Sequence, residues 1–196
     1  MVLLIDNYDS FTYNLAHLLL RAGCHVEIIR SDEASARDIA AFAPDGVVIS
    51  PGPGTPADAG ISIAAVRACG PTTPLLGICL GHQAIAAAYG ATIVAAPQPV
   101  HGQASPISHD GRGVLAGLPQ PFPAARYHSL IIDENTLPPD LLITARGPGG
   151  TPMGLRHAHH PAEGLQFHPE SILTTHGSAI IGNFVRLATP EYRLPV

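Results

Sequence analysis

Short runs of β-branched residues and leucine alternate with amphipathic segments through the first half of this chain, and that alternation leaves few folds open. It is the pattern of βα units wound around a parallel sheet. VLLID at 2–6 reads as a first strand. Phe11, Leu15, Leu18 and Leu19 then recur at helical spacing, with Ser10 placed to cap that helix and Gly23 to end it. HVEIIR at 25–30 returns as a second strand, and 35–42 suits a short helix. GVVIS at 46–50 and PLLGI at 74–78 are apolar runs of the kind found in central strands covered on both faces. Each leads directly into a glycine-containing segment. Open α/β sheets bind ligands outside the carboxyl ends of their strands, so these two loops are the predicted site.

From about residue 91 the strand candidates ATIVAA, AARYHS, LLITAR and EGLQFH lie among Gly and Pro turns. They read as extra strands, some antiparallel, packed on the same core, and a helix near 177–188 closes the chain. No repeat, low-complexity segment or linker divides it. The expectation is a single α/β domain over 1–196, a mostly parallel central sheet flanked by helices with additional antiparallel strands in the second half. At 196 residues, 46% of them hydrophobic, such a domain buries roughly 70% of its unfolded surface.

Composition excludes several functions. A net charge of −5 with no basic run argues against nucleic acid or an anionic membrane as partner. All ten basic residues are arginine, so there is no lysine for a Schiff base, a P-loop or a catalytic amine. Cys24, Cys69 and Cys79 are odd in number and lack CxxC spacing, which suggests neither a disulfide framework nor a zinc cluster. Four apolar residues before Asp6 are too few for a signal peptide, and no apolar stretch is long enough to span a bilayer. A soluble, cytoplasmic protein acting with small molecules or another protein is expected.

Cys79 sits in Gly77-Ile78-Cys79-Leu80-Gly81, between an apolar strand and a plausible helix beginning at Gly81. This is the cysteine counterpart of the GxSxG elbow, where flanking glycines allow a sharp turn that lifts the nucleophile off the sheet. A thiol at a helix N-terminus gains thiolate character from the helix dipole. The plain alternative is a buried structural cysteine, the reading given to Cys24 and Cys69. In Gln166-Phe167-His168-Pro169-Glu170, an extended chain puts His168 and Glu170 on one side, so the carboxylate can orient the imidazole. Pro169 biases His168 toward extended geometry. HPE alone is an ordinary polar strand end; joined to the elbow it completes a Cys79, His168, Glu170 triad of nucleophile, general base and acid, and orienter.

Ser50-Pro51-Gly52-Pro53-Gly54-Thr55-Pro56 follows the third strand. Gly52 to Ala57 formally matches a G-x-G-x-x-A dinucleotide fingerprint. Pro53 and Pro56 remove two of the donors a pyrophosphate needs, the loop does not follow the first strand, and no acid stands about 20 residues on. A rigid turn aiming a backbone N–H at a developing oxyanion fits better, with the N–H of Leu80 as second donor. A Pro-Gly loop with no chemistry is its competitor.

Together LLIDNYDSFTYNL, SPGPGTP, GICLGHQ, HGQASPISHDG, RYHSL and QFHPESILTTHG resemble, in that order and over nearly the whole chain, the class I (triad) glutamine amidotransferases. The resemblance is strongest to the small subunits of the chorismate-using synthases that make anthranilate or aminodeoxychorismate. It implies a glutaminase with Cys79 as nucleophile, His168 and Glu170 beside it, and an oxyanion hole at Gly52 and Leu80. It further implies a glutamine site at Gly52, Pro53, Gly54, Gln83, Ser129 and Leu130, residues that otherwise read as a loop, a solvated helical residue and a turn. The ammonia would pass to a large synthase subunit holding Mg2+ and chorismate, with no cofactor and no metal in this chain. ILTTHG favours anthranilate, and so tryptophan biosynthesis; aminodeoxychorismate, and so folate biosynthesis, is the alternative. Gln103 stands where many relatives have lysine, in a segment resembling a synthase-facing surface, and bears on docking rather than catalysis.

A stand-alone cysteine peptidase or esterase would use the same atoms without a partner, whereas a non-catalytic module would not need the triad. His157, His159 and His160 in HAHH read as a turn rather than a metal site, and His101, His109 and His128 as surface or core polar groups. Asp6 to Asp9 read either as support for the site from the end of the first strand or as caps of the next helix, and capping suffices to explain them.

Overall fold

The structure, a computed structural model, describes residues 1–189; residues 190–196 of the expected domain lie outside the described residues. The four early runs form β1 (Val2–Asp6), β2 (Val26–Arg30), β3 (Gly46–Ile49) and β4 (Leu75–Ile78). Between and after them run α1 (Thr12–Arg21), α2 (Ala36–Phe42), α3 (Ser62–Cys69) and α4 (Leu80–Ala88). The second half adds β5 (Ile93–His109), β6 (Phe122–Ile132), β7 (Leu141–Arg146), β8 (Pro152–His157), β9 (Ala162–Leu165) and α5 (Gly177–Ala188).

All nine strands join one sheet in the order β2-β1-β3-β4-β9-β8-β7-β5-β6. Neighbours from β2 to β9 are parallel and the remainder antiparallel. The parallel half is a platform buried on both faces. Val2, Leu4, Val48, Leu76 and Ile78 pack with Leu15 and Leu19 of α1 and Ile180 and Phe184 of α5. Leu3, Ile5, Val47, Ile49 and Leu75 point the other way, toward Ile39, Ala65, Val66 and Ile85 of α2, α3 and α4. Alternation within an apolar run thus feeds two cores, and each fully buried Leu, Ile or Val contributes roughly 1.5–3 kcal/mol by leaving water.

Several local expectations need correction. Ser10 caps nothing; α1 starts at Thr12, and the turn into it is built by Asp6, whose Oδ1 accepts from Tyr8 N and Thr12 Oγ1, and by Asp9, whose Oδ2 accepts from Phe11 N. A carboxylate at the strand end reaches these donors better than a short hydroxyl. Phe11 is 38% exposed and packs on Tyr127, outside the core. Gly23 does end α1, at φ 88°, with Cys24 N donating back to Leu19 O. The strand read through His168 is assigned only to Leu165, although Gln166 N still donates to Met153 O of β8, and the chain turns at His168. Elements α3 and β8 fall outside the sequence reading, and ATIVAA is only the start of a 17-residue β5 that runs on through Pro97, Pro99 and Pro106. Pro97 and Pro99 fall where its pairing with β6 is interrupted, between Ala95 and Val100, and Pro106 lies opposite Pro123, while β7 is met only at Ser108 and His109.

Candidate active site

Strand β1 has β2 on one side and β3 on the other, so the direction of winding reverses there and a crevice opens at the strands' carboxyl ends. Asn7, just beyond β1, ties that crevice together. Its N–H donates to Ser50 Oγ at 2.9 Å, its Nδ2 donates to Ser50 O, and its Oδ1 accepts from Ser62 Oγ. Gly52 lies against it so closely that a Cβ would sit 2.5 Å from Asn7 Cβ. Glycine at 52 is therefore required by close approach, and the loop 50–54 is held rigidly over the site.

Cys79 follows β4 at φ 51°, ψ −100°, a left-handed conformation that costs a non-glycine residue energy and persists only where its surroundings impose it. Here they do. A Cβ on Gly77 would meet Gly81 O at 2.3 Å, and one on Gly81 would meet Ile49 O at 2.4 Å, so both elbow glycines serve tight packing around the turn. Helix α4 begins at Leu80, one residue before the expected Gly81, which places Cys79 at its N-cap.

His168 is 3% exposed, and its Nδ1 lies 2.5 Å from Glu170 Oε1. The two meet across a turn, with Ser171 N donating to His168 O, not along the extended strand that the sequence suggested. His168 N donates to Ala125 O, and Thr174 Oγ1 links His168 O to Ala125 N, pinning the turn to β6. Burial works against a charged ring, but the Cys79 sulfur and the Glu170 carboxylate more than offset it, so His168 is pushed up to about 10. Its Nε2 is buried without a conventional hydrogen bond, and the Cys79 sulfur is the group it senses.

Gly52, Pro53, Gly54, Cys79, Leu80, Gln83, Ser129 and Leu130 line a single cavity of about 150 Å³. Every residue assigned to the glutamine site and oxyanion hole is therefore brought to one place, with Tyr127 and His128 between them. Leu80 and Gln83 come from the first turn of α4, Ser129 and Leu130 from β6 on the opposite wall.

Tyr127 and Gln166 are supporting residues that the sequence reading did not assign, and Asn7 is one it reached only within the span Asp6 to Asp9. The Tyr127 carbonyl lies 3.7 Å from the Cys79 sulfur and its ring packs edge-on to His168. Gln166, wholly buried, donates from Nε2 to Cys79 Sγ at 3.5 Å, while its Oε1 accepts from Gln83 Nε2 at 3.0 Å. Gln83 Nε2 also donates to Leu130 O, which leaves its own Oε1 as a free acceptor. The available signals were position alone: Asn7 at a strand's carboxyl end, Gln166 two residues before His168.

The other candidates have structural employment. His157 Nδ1 accepts from the N–H groups of His159 and His160, its ring stacks on His160, and His160 Nδ1 lies 2.9 Å from Tyr89 Oη. Among the described residues no group of His, Cys, Asp and Glu could hold a metal ion. His109 Nε2 contacts Pro119 O, His101 and Gln103 are exposed on β5, and burial raises the thiols of Cys24 and Cys69. No helix among the described residues is long and apolar enough to cross a membrane.

A cysteine elbow, a carboxylate-held imidazole and backbone donors over one small cavity define an acyl-transfer site with a sulfur nucleophile. Comparison with known proteins specifies it further. The model of the class I glutamine amidotransferase family matches residues 3–188, and the chain belongs to that family. It is 52% identical to the aminodeoxychorismate synthase component 2 of Klebsiella aerogenes, over 94% of this chain and 99% of that one. It is 48% identical to the anthranilate synthase component 2 of Azospirillum brasilense, over 94% and 95% respectively. A solved structure from Thermoplasma acidophilum, described as that of a GMP synthase subunit, superposes with a TM-score of 0.87 at 26% identity, covering 97% of this chain and 94% of that one.

Proposed function

We propose that this chain is the glutaminase subunit of a chorismate-using synthase, hydrolysing L-glutamine and handing the ammonia to a larger partner. The observation that carries the reading is the convergence of Cys79, His168 and Glu170 beside a cavity walled by Gly52, Gln83 and Leu130. The Cys79 thiolate attacks the side-chain amide carbon of glutamine, and the oxyanion is held by the N–H groups of Gly52 and Leu80. His168, already carrying a proton, gives it to the departing nitrogen as the C–N bond breaks. It then takes a proton from water, which attacks the γ-glutamyl thioester; the C–S bond breaks and glutamate leaves. The free Oε1 of Gln83 faces the ammonium end of the substrate, and Ser129 and Leu130 close the opposite wall.

Free ammonia is protonated in water at neutral pH, so its transfer needs cover from solvent. Ile172 is 96% exposed and Leu173 41%, two and three residues after Glu170, and an apolar surface beside the site suits a partner that supplies that cover. Mg2+ and chorismate belong to that partner. The ILTTHG segment favours an anthranilate-forming synthase; relatives bearing both component names make the aminodeoxychorismate-forming one the second reading, and a stand-alone cysteine hydrolase leaves this apolar surface without a use.

The test replaces Cys79 with Ala and assays the complex with glutamine and with an ammonium salt. Product from ammonium alone is the expected result. Equal product from both rules Cys79 out as the nucleophile, and the identity of the aromatic product assigns the partner.

A further inference from the structure

Arg126 on β6 is the one arginine among the described residues with less than a tenth of its surface exposed, at 8%. Its Nε donates to Ser105 Oγ at 3.0 Å, and among the described residues no carboxylate pairs with it. Burial works against its charge and no neighbouring acid restores it. Its two terminal nitrogens have no protein partner and open to solvent, so the guanidinium keeps a charge free to meet a ligand in the space beside it. That space is a cavity of about 350 Å³ separate from the glutamine cavity, with Pro97, Gln98, Gly149 and Thr151 among its walls and neither Asp nor Glu.

His128 lines both cavities. It is 4% exposed, its Nε2 is buried without a partner, and its Nδ1 lies 3.2 Å from Leu130 O. Burial and the charge of Arg126 hold its pKa down at about 4, which an adjacent negative charge would relieve.

We propose that Arg126, packed beside His128, forms a binding site for a small oxyanion, a carboxylate or a phosphate, at the back of the glutamine cavity. With only Nε engaged, the terminal nitrogens of Arg126 keep a fork that matches either group bidentately. The missing carboxylates disfavour a cation. The volume falls at the lower end of ligand pockets, about 300–1,000 Å³, which leaves room for a small organic anion. Occupation is felt at the neighbouring cavity, because His128 Nδ1 and Gln83 Nε2 share the Leu130 carbonyl. That consequence, a change in the KM for glutamine, rests on the glutaminase reading; the binding itself does not.

Titration calorimetry of the full chain with inorganic phosphate and, separately, with succinate tests the site and tells the two sources apart. Saturable binding of one or both is expected, with shifted His128 ring resonances. Arg126→Gln weakens it about tenfold or more, and Arg126→Lys, which keeps the charge but not the fork, by less. Circular dichroism verifies that the variants fold, and His128→Gln supplies the comparison if Arg126→Gln does not. Absence of saturable binding to the wild type overturns the proposal, as does undiminished binding to Arg126→Gln. A third overturning result is an Arg126→Gln chain that loses its synthase partner while the wild type binds neither anion, which assigns the cavity to an acidic side chain of that partner.

Discussion

Two buried polar stretches meet at the Cys79 sulfur, the first turn of α4 and the segment after β9, and each carries a histidine. His82 in α4 is wholly buried, with no hydrogen bond to either ring nitrogen, and packs close against Gly164. Burial pushes it down to about 3. His168, almost as buried, is pushed up to about 10 because the Cys79 sulfur and Glu170 outweigh the same penalty. Burial therefore does not decide a histidine's charge in this molecule. The partner does, and only one of these rings has one.

Removing that partner has the largest expected effect. Glu170→Gln keeps the size of the side chain but leaves only the Cys79 sulfur to oppose burial, so the His168 pKa falls from about 10. We expect glutamine-dependent kcat/KM to drop by about 10²–10⁴, with ammonia-dependent synthesis unchanged. Linkage gives a second readout. The folded value lies above the ordinary 6.5, so the stabilisation from a charged His168 is complete below about pH 6.5 and is lost as pH rises through about 10. The variant should show a shallower alkaline limb in urea titrations across pH 7–10. A wild-type slope surviving in Glu170→Gln contradicts the assignment.

The join between the two stretches is Gln166, and cutting it has an intermediate effect. Gln166→Leu removes the donor to the sulfur and the acceptor that orients Gln83, and hydrogen bonds of this kind are worth about 1.5–3 kcal/mol each when a charged group is involved. A kcat/KM reduced about tenfold to hundredfold follows. Gln166→Glu separates the roles: the acceptor for Gln83 is kept, so KM for glutamine should hold, while alkylation of Cys79 by iodoacetamide slows. Alkylation at the wild-type rate in both variants shows that Gln166 only packs.

The two stretches also differ in how far the sequence exposes them. The elbow was legible because Gly77, Cys79 and Gly81 are adjacent in the chain and follow an apolar run, and a turn of that kind is a local property. The first four strands were legible for the same reason. What could not be read is contact across the fold: Gln166 reaching Gln83, Tyr127 turning its carbonyl to the sulfur, Asn7 fixing Ser50. The pairing of His168 with Glu170 was reached through the wrong geometry, since a turn and not a strand brings them together. Strand β8 was hidden by its neighbours, a Gly-Pro turn before it and the histidine turn after it, which mask a six-residue run.

His82 provides the smallest effect and the sharpest contrast. Its folded value lies below 6.5, so as pH falls the unfolded chain takes up the proton first, and stability declines from about pH 6.5 toward 3. At about pH 5 this costs on the order of 2 kcal/mol relative to neutrality. His82→Leu removes both the titration and two unsatisfied ring nitrogens, so the variant should be near neutral in stability at pH 7 and decline less steeply between pH 7 and 5. Glutamine turnover should be little changed, because nothing ties His82 to Cys79 as Gln166 and His168 are tied. An acid limb equally steep in wild type and variant would return the pH dependence to other groups, His128 first among them, since it is held at about 4 by burial and by Arg126.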